Sequence, residues 1–164
     1  MEEQNLDRAR YKVIPRTLIF IFHEDEVLLI NKIGSNIWDG KSNVLGGHIE
    51  NGEDIISSAQ RELLEEAGLS AVELHYCGNI MITVEKDLGI ALHLFRGEAK
   101  TKVVTASDEG SLAWVRVDDI KLYPVKKDLY ELLPLVKEWA SGDSLIIGKY
   151  KKSGDKELRR YKTG

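Results

Sequence analysis

The sequence predicts an α/β domain in which one sheet carries helices on both faces. Three observations support this: strand-like runs occur throughout the chain, two segments have helical periodicity, and strands lie before and after each of these segments. A chain of 164 residues with 43% hydrophobic and 30% charged residues is typical of one globular domain. We expect a single domain over residues 1–164, with flexible, solvated ends at residues 1–10 and 151–164.

Strands and helices alternate along the predicted domain. Runs rich in β-branched and aromatic residues indicate strands at residues 13–22, 27–30, 74–84, 90–97, 111–117 and 145–150, with a short extended piece at 44–47. Helical periodicity indicates helices at 53–67 and 128–139, and Gly68 suits the left-handed position that ends the first. Polar loops are expected at 34–41, where Trp38 borders a pocket or covers the sheet edge, and at 101–109.

Composition argues against several classes of function. The formal net charge of −4 disfavours binding to nucleic-acid polymers, and a polyphosphate substrate would require metal ions or local lysine and arginine. The longest apolar runs are strand-sized and residues 1–10 contain no apolar signal region, so we expect a cytoplasmic protein without membrane association. The single cysteine, Cys77, cannot form an intrachain disulfide and is predicted to be a small core residue. The chain is expected to be a monomer or a homodimer.

The first predicted helix carries a cluster of carboxylates. Glu65 and Glu66 lie three and four residues after Glu62, which places all three within an arc of about 100°. Like charges at these spacings destabilise a helix by roughly 0.2–0.5 kcal/mol per pair. The apolar face of the helix is predicted to comprise Ile55, Ile56, Ala59, Leu63 and Ala67. Because Glu66 falls inside the edge of this face, at least one carboxylate is expected to point toward the protein body.

The cluster is either a solvated acidic face or a metal site. Partly buried anions need cations, and Mg²⁺ or Mn²⁺ takes oxygen ligands of this kind. Gly46 and Gly47 would let a backbone carbonyl approach such an ion, where a Cβ atom would obstruct it. Arg61 can hold a neighbouring carboxylate through a forked hydrogen bond. These neighbours favour the metal site.

The same residues, in this order, resemble the Nudix box. Every fixed position of that pattern is present: Gly47, five residues, Glu53, seven residues, then Arg61-Glu62-Leu63, Leu64, Glu65-Glu66, Ala67, Gly68 and Leu69. The resemblance implies an α/β/α sandwich with a mixed sheet, and a hydrolase that cleaves nucleoside diphosphates linked to another group. It implies that Glu53 and Arg61 support the loop and helix geometry. The metal ligands that it implies are the Gly46 carbonyl, Glu62, Glu65 and Glu66.

The resemblance extends beyond the box, because residues 13–150 look like the MutT-like branch and most closely its animal-type oxidised purine triphosphatases. Such proteins often supply a further acid from a loop outside the box. Asp108 and Glu109 occupy that position, and Glu109 is the better match, as an additional metal ligand, as a general base or as an ordinary loop residue. His48 adjoins Gly47, and the sequence does not decide whether it faces the phosphates.

Four further positions are candidates for substrate binding. Asn43 resembles a base-contacting asparagine, although it could be a turn residue, and Lys32 matches a lysine near the phosphates, although it could be solvated. Tyr123 falls where an aromatic residue lines the base pocket; otherwise it is a core aromatic. Residues 125–127 depart from the branch, which has adjacent acids there that read the oxidised purine. Asp128 either takes that role or is the N-cap of the second helix.

The sequence therefore predicts a Nudix hydrolase with Mg²⁺ or Mn²⁺ as its cofactor and a small nucleotide as its partner. The expected substrate is a nucleoside triphosphate, such as 8-oxo-dGTP, which is split into monophosphate and pyrophosphate. The alternatives are a nucleotide-sugar or dinucleotide pyrophosphatase, or an inactive nucleotide-binding module. Because Glu62, Glu65 and Glu66 are all present, an active enzyme is favoured over a binding module.

Overall fold

The computed structural model describes residues 8–32 and 40–162 of the chain. Most of the predicted N-terminal end (residues 1–10) and most of the predicted loop at 34–41, with Trp38, lie outside the described residues.

A seven-stranded mixed sheet forms the centre of the described structure, in the order β5-β2-β1-β4-β3-β6-β7. Its strands are β1 (Lys12–His23), β2 (Glu26–Lys32), β3 (His75–Glu85), β4 (Leu88–Glu98), β5 (Gly110–Arg116), β6 (Leu145–Lys151) and β7 (Lys156–Tyr161). The helices are α1 (Ile55–Ala67), α2 (Lys127–Glu138) and a 3-10 helix at Val117–Leu122. The pairs β1–β4 and β3–β6 are parallel, and the other neighbouring strands are antiparallel.

Each face of the sheet packs against one helix. Alternate residues of a strand point to opposite faces, and in β1 Ile19 belongs to the apolar cluster that contains Leu63 of α1. Its neighbour Phe20 belongs to the cluster that contains Leu129 of α2. The predicted sheet with helices on both faces is therefore confirmed, and the sheet separates two apolar cores.

The start of α1 differs from the prediction. The helix begins at Ile55 because Asp54 has an extended backbone and its side chain accepts hydrogen bonds from the amides of Ile56 and Ser57. Glu53 therefore lies before the helix, and the predicted helical span of 53–67 is too long by two residues. Ile56 is 51% exposed, so its assignment to the buried face is wrong. Gly68 ends the helix with φ of 67°, as predicted.

The C-terminal residues form a strand where the sequence predicted a flexible, solvated end. Strand β7 pairs antiparallel with β6, and Leu158 packs against the core on the α2 side. The sequence did not reveal this strand because half of its side chains are basic and all except Leu158 are exposed, which hides the alternation expected of a strand.

Helix α2 begins one residue before the predicted start. Lys126 is the N-cap residue and makes no side-chain capping bond, so the assignment of Asp128 as N-cap is wrong. Asp128 lies in the first turn and its carboxylate pairs with Lys156 of β7. In the described part of the chain, no helix is long and apolar enough to cross a membrane.

The burial of the Cys77 side chain can be tested by alkylation. It lies in β3 with no exposed surface, as predicted, and burial raises the pKa of its thiol to about 12. Near pH 8 the thiol is therefore both protonated and covered, and only a thiolate reacts readily. We expect iodoacetamide to leave the native protein unmodified for hours and to alkylate the denatured protein once, as measured by intact mass. Rapid alkylation of the native protein would contradict the buried position.

Candidate active site

Two carboxylates of α1 are turned into the protein. Glu66 has no exposed surface and Glu62 is 7% exposed, whereas Glu65 on the same helix is exposed. The expectation that at least one carboxylate points inward is thus confirmed for two of them. Burial raises the pKa of both Glu62 and Glu66, because it disfavours the charged carboxylate.

The glycine segment before α1 allows these carboxylates to reach the sheet. The Gly46 amide donates to Glu66 Oε2 at 2.8 Å, and Thr17 of β1 donates its amide to the Gly47 carbonyl at 2.9 Å. A Cβ atom on Gly46 would lie 2.2 Å from the Thr17 carbonyl oxygen, and one on Gly47 would lie 2.2 Å from Glu62 Oε1. Only glycine permits this approach, which brings β1 and the carboxylates of α1 against one short segment.

Arg61 connects the loop before α1 to the carboxylates of the helix. Its Nε and Nη2 donate to the two oxygens of Glu53 at 2.5 and 2.9 Å, a forked pair. Its Nη1 donates to Glu62 and to Glu65, both at 3.0 Å, and Nη2 also donates to the His48 carbonyl. The hydrogen bonds from Arg61 lower the pKa of Glu53 to about 2. Arg61 therefore fixes where these carboxylates lie.

Lys32 brings a second cation to the buried side of the cluster. Its Nζ lies 2.6 Å from Glu66 Oε1 and 3.4 Å from Glu109 Oε2. Glu109 reaches this point because it directly precedes β5, which pairs with β2 so that Gly110 is opposite Lys32. Burial opposes the charged form of Lys32, but the carboxylates of Glu66, Glu109 and Glu62 together outweigh this effect and raise the pKa of Lys32.

The close contact between Lys32 and Glu66 is an ion pair, and the Lys32 ammonium group faces the buried Glu66 Oε1. Within residues 8–32 and 40–162, no three acidic, histidine or cysteine side chains are grouped closely enough to hold a metal ion. The carboxylates are compensated by Lys32 and Arg61 in this structure.

A cavity of about 320 Å³ adjoins this cluster on the α2 face of the sheet. Lys32, Gly46 and Gly47 line it and also contact the carboxylates of α1, so the two regions are continuous. Much of the remaining wall is apolar and is formed by Leu18, Ile82, Ile90, Leu92, Leu129 and Leu132.

The cavity brings together several residues that the sequence predicted. Lys32, Asn43 and Asp128 all line it. Asn43 Oδ1 accepts from the Val44 amide at 2.9 Å, and its backbone pairs with Ile30 of β2, which fixes the position of its side chain.

Tyr123 is not among the residues that line the cavity. It follows the 3-10 helix, is 44% exposed, and its carbonyl accepts a hydrogen bond from Tyr130. Among the described residues, a tyrosine does line the wall, namely Tyr150 of β6, which was not among the predicted site residues. Alternation along the strands could have indicated this residue. Tyr150 is four residues after the buried Ile146 and therefore faces the same side of the sheet. By the same rule Arg16, which also lines the cavity, faces the side of the buried Phe20.

The family model described as the NUDIX domain matches residues 12–136 of the chain. The chain belongs to the Nudix family. The match begins with β1, contains every predicted site residue and ends in α2. Strands β6 and β7 lie beyond it.

Curated relatives place the chain within the Nudix hydrolases. It is 34% identical over 125 residues to the oxidized purine nucleoside triphosphate hydrolase of Danio rerio, and the aligned region covers 73% of this chain and 77% of that protein. It is 32% identical over 124 residues to the protein of the same name from Mus musculus, with the same coverage. It is 26% identical over 118 residues to the NAD-capped RNA hydrolase NudC of Salmonella typhi, covering 72% of this chain and 45% of that protein.

Solved structures share the Nudix fold. The mMutator MutT protein from Bacillus halodurans superposes with a TM-score of 0.72 at 21% identity, covering 90% of this chain and 97% of that chain. The Nudix domain of Shewanella oneidensis NrtR, solved in complex with ADP ribose, superposes with a TM-score of 0.69 at 14% identity, covering 82% and 93%. At these identities the likeness concerns the fold alone.

Gly47 offers a direct test of the Nudix site geometry. In Gly47→Ala, the added Cβ atom would collide with the Glu62 carboxylate and displace it. We expect kcat/KM on the preferred substrate to fall about a hundredfold, because small displacements of reacting groups have effects of this size. The control is Gly142→Ala, which has open space around it but a φ of 90°, so it should lose ~1 kcal/mol of stability and keep normal turnover. Equal turnover in both variants would remove the Gly47–Glu62 contact from the active geometry.

Proposed function

We propose that this Nudix hydrolase cleaves a nucleoside triphosphate into monophosphate and pyrophosphate with the help of divalent metal ions. The proposal is supported by one observation: the buried carboxylates of α1 adjoin the cavity on the α2 face of the sheet. The buried carboxylates Glu62 and Glu66 contact Gly46 and Gly47, and these glycines line a cavity large enough for a nucleobase. A phosphate chain held at the carboxylates would therefore extend into a compartment for its nucleoside.

In chemical type the donors suit a hard divalent cation, which would draw the carboxylates closer together than they lie in this structure. Mg²⁺ and Mn²⁺ prefer carboxylate and carbonyl oxygens, and the buried carboxylates of Glu62 and Glu66 both contact the glycine segment. We assign the metal ligands to the Gly46 carbonyl, Glu62, Glu65, Glu66 and Glu109. When bound, the metal supplies charge for the phosphate oxygens and lowers the pKa of a water molecule.

Other residues of the site position and compensate charge. Arg61 and Glu53 hold the carboxylates of Glu62 and Glu65 through the forked hydrogen bonds. Lys32 lies between Glu66 and Glu109 and also lines the cavity, so its ammonium group can pair with a phosphate as the substrate enters. Glu109 is exposed and lies 3.4 Å from Lys32, and we assign it to accept a proton from water or to assist the metal.

The cavity supports a purine nucleotide as the substrate class. An apolar wall suits the faces of a base, whereas the Asn43 amide and the Asp128 carboxylate can pair with its edge. The relatives from Danio rerio and Mus musculus are named as oxidized purine nucleoside triphosphate hydrolases. We therefore propose 8-oxo-dGTP as the first substrate to examine, with Asp128 in place of the adjacent acids missing at residues 125–127. Tyr123 is not retained as the stacking residue, because it does not line the cavity.

Glu65 tests the metal assignment. Glu65→Gln removes one proposed ligand from an exposed position, so the fold should remain stable. We expect kcat to fall about a hundredfold or more, because the metal contributes several kcal/mol to transition-state stabilisation, and Mn²⁺ affinity measured by calorimetry should fall as well. Glu73→Gln, at another exposed glutamate, should behave like the wild type. Unchanged Mn²⁺ affinity in Glu65→Gln would exclude Glu65 as a ligand.

The substrate proposal is tested by comparing 8-oxo-dGTP, dGTP and ADP-ribose with Mg²⁺ and with excess chelator. We expect pyrophosphate and a nucleoside monophosphate as the products, by chromatography, and no turnover in chelator. The triphosphates should exceed ADP-ribose in kcat/KM by about tenfold or more, which corresponds to about 1.4 kcal/mol of transition-state preference. A tenfold preference for ADP-ribose or a nucleotide sugar would replace the triphosphatase proposal by another Nudix activity.

A further inference from the structure

Tyr150 belongs to the wall of the cavity and carries a buried hydroxyl group. The residue is 4% exposed, yet it lines the cavity, and its hydroxyl has no hydrogen-bond partner among the described residues. Buried hydroxyl groups are rarely left without a partner, because the loss of hydration is then not offset. In a residue that lines a cavity, such a hydroxyl is a candidate to take its partner from a ligand.

The register of the sheet surrounds Tyr150 with apolar side chains. In the β6–β3 pair Tyr150 is opposite Ile82, and in the β3–β4 pair Ile82 is opposite Ile90. Both isoleucines line the cavity, and neither side chain can hydrogen bond. The hydroxyl is therefore an isolated polar group along an otherwise apolar row, which is the arrangement expected of a specificity contact.

Strand β7 supplies a lysine that lies over the Tyr150 ring and pairs with an acid of the cavity wall. Lys156 Nζ lies 5.0 Å from the centre of the Tyr150 ring and also pairs with Asp128, which lines the same cavity. Burial raises the pKa of Tyr150, and the negative charges of Asp128 and Glu131 add to this effect. The hydroxyl consequently stays protonated and can donate, while the Asp128 carboxylate can only accept.

We propose that Tyr150 is a specificity-determining residue whose hydroxyl donates a hydrogen bond to an acceptor atom, a ring nitrogen or a carbonyl oxygen, on a purine base in the cavity. Asp128, held by Lys156, accepts from an adjacent N–H group of the same base. This inference rests on the proposed nucleotide function and assigns a base-reading role to β6 and β7, which lie beyond the Nudix match.

The test is equilibrium binding to Tyr150→Phe, which keeps the ring and removes the hydroxyl. Calorimetry in excess chelator compares dGMP, dAMP and 2-deoxyribose 5-phosphate, so that neither metal nor hydrolysis is needed. We expect the Kd of the preferred purine nucleotide to rise about tenfold, because one hydrogen bond is lost, and that of the base-free phosphate to stay unchanged. The two purines show which acceptor atom the hydroxyl reads.

Tyr130→Phe is the matched control. Its hydroxyl donates to the Tyr123 carbonyl at 3.1 Å, and the residue does not line the cavity, so its removal should leave nucleotide binding unchanged. The melting temperature of Tyr130→Phe should fall slightly, whereas that of Tyr150→Phe should hold or rise, because no protein hydrogen bond is lost there. A lowered melting temperature with unchanged purine binding would make Tyr150 structural and overturn the proposal.

Measurements of kcat/KM distinguish a failure of the Tyr150 proposal from a failure of the triphosphatase proposal. With Mg²⁺, Tyr150→Phe should lower kcat/KM about tenfold for the preferred purine triphosphate and leave 2-deoxyribose 5-triphosphate unaffected. If the wild type hydrolyses no triphosphate but binds a purine monophosphate through Tyr150, the triphosphatase proposal fails and the inference stands. If the wild type does not prefer a purine monophosphate to the base-free phosphate, or if the variant loses both triphosphates equally, the inference is wrong.

Discussion

The candidate site depends on the burial of two negative charges on the inner side of α1. Glu62 and Glu66 are removed from water, and this is tolerated only because Arg61, Lys32 and the Gly46 amide surround them with positive charge or hydrogen-bond donors. Each of these partners comes from a different part of the chain. The requirement to compensate the carboxylates therefore fixes how α1, the glycine segment and the end of β2 lie relative to one another.

The two faces of the sheet carry different parts of the candidate site. The helix with the carboxylates packs on one face, whereas the apolar cavity lies on the other, beneath α2. The glycine segment runs along β1 and contacts both regions, since Gly46 touches Glu66 and also lines the cavity. A phosphate chain and its nucleoside could thus occupy adjoining compartments that belong to different apolar cores.

The sequence predicted the parts of this structure that local patterns determine. The order of strands and helices, the helix stop at Gly68 and the inward turn of Glu66 follow from periodicity and hold in the structure. The positions that failed depend on distant partners. Strand β7 is recognisable only through its pairing with β6. Asp128 lies in the first turn of α2, not at its N-cap, and pairs with Lys156, 28 residues away. No local pattern carries that information. Alternation along β6 indicates that Tyr150 faces inward with Ile146, but only the tertiary structure brings it, instead of Tyr123, into the cavity wall.

The C-terminal hairpin of β6 and β7 lies at the edge of the sheet, beyond the segment that carries the family pattern. Its contacts with the cavity run through Tyr150, and through Lys156 acting on Asp128, whereas none of the α1 carboxylates is held by it. Under the proposed base-reading role, substitutions at the cavity wall of this hairpin would alter base preference while the α1 carboxylates keep their partners. Over evolutionary time such an arrangement would let base preference diverge among related enzymes while the chemistry is retained, and in the laboratory it makes the hairpin a natural unit to exchange between them.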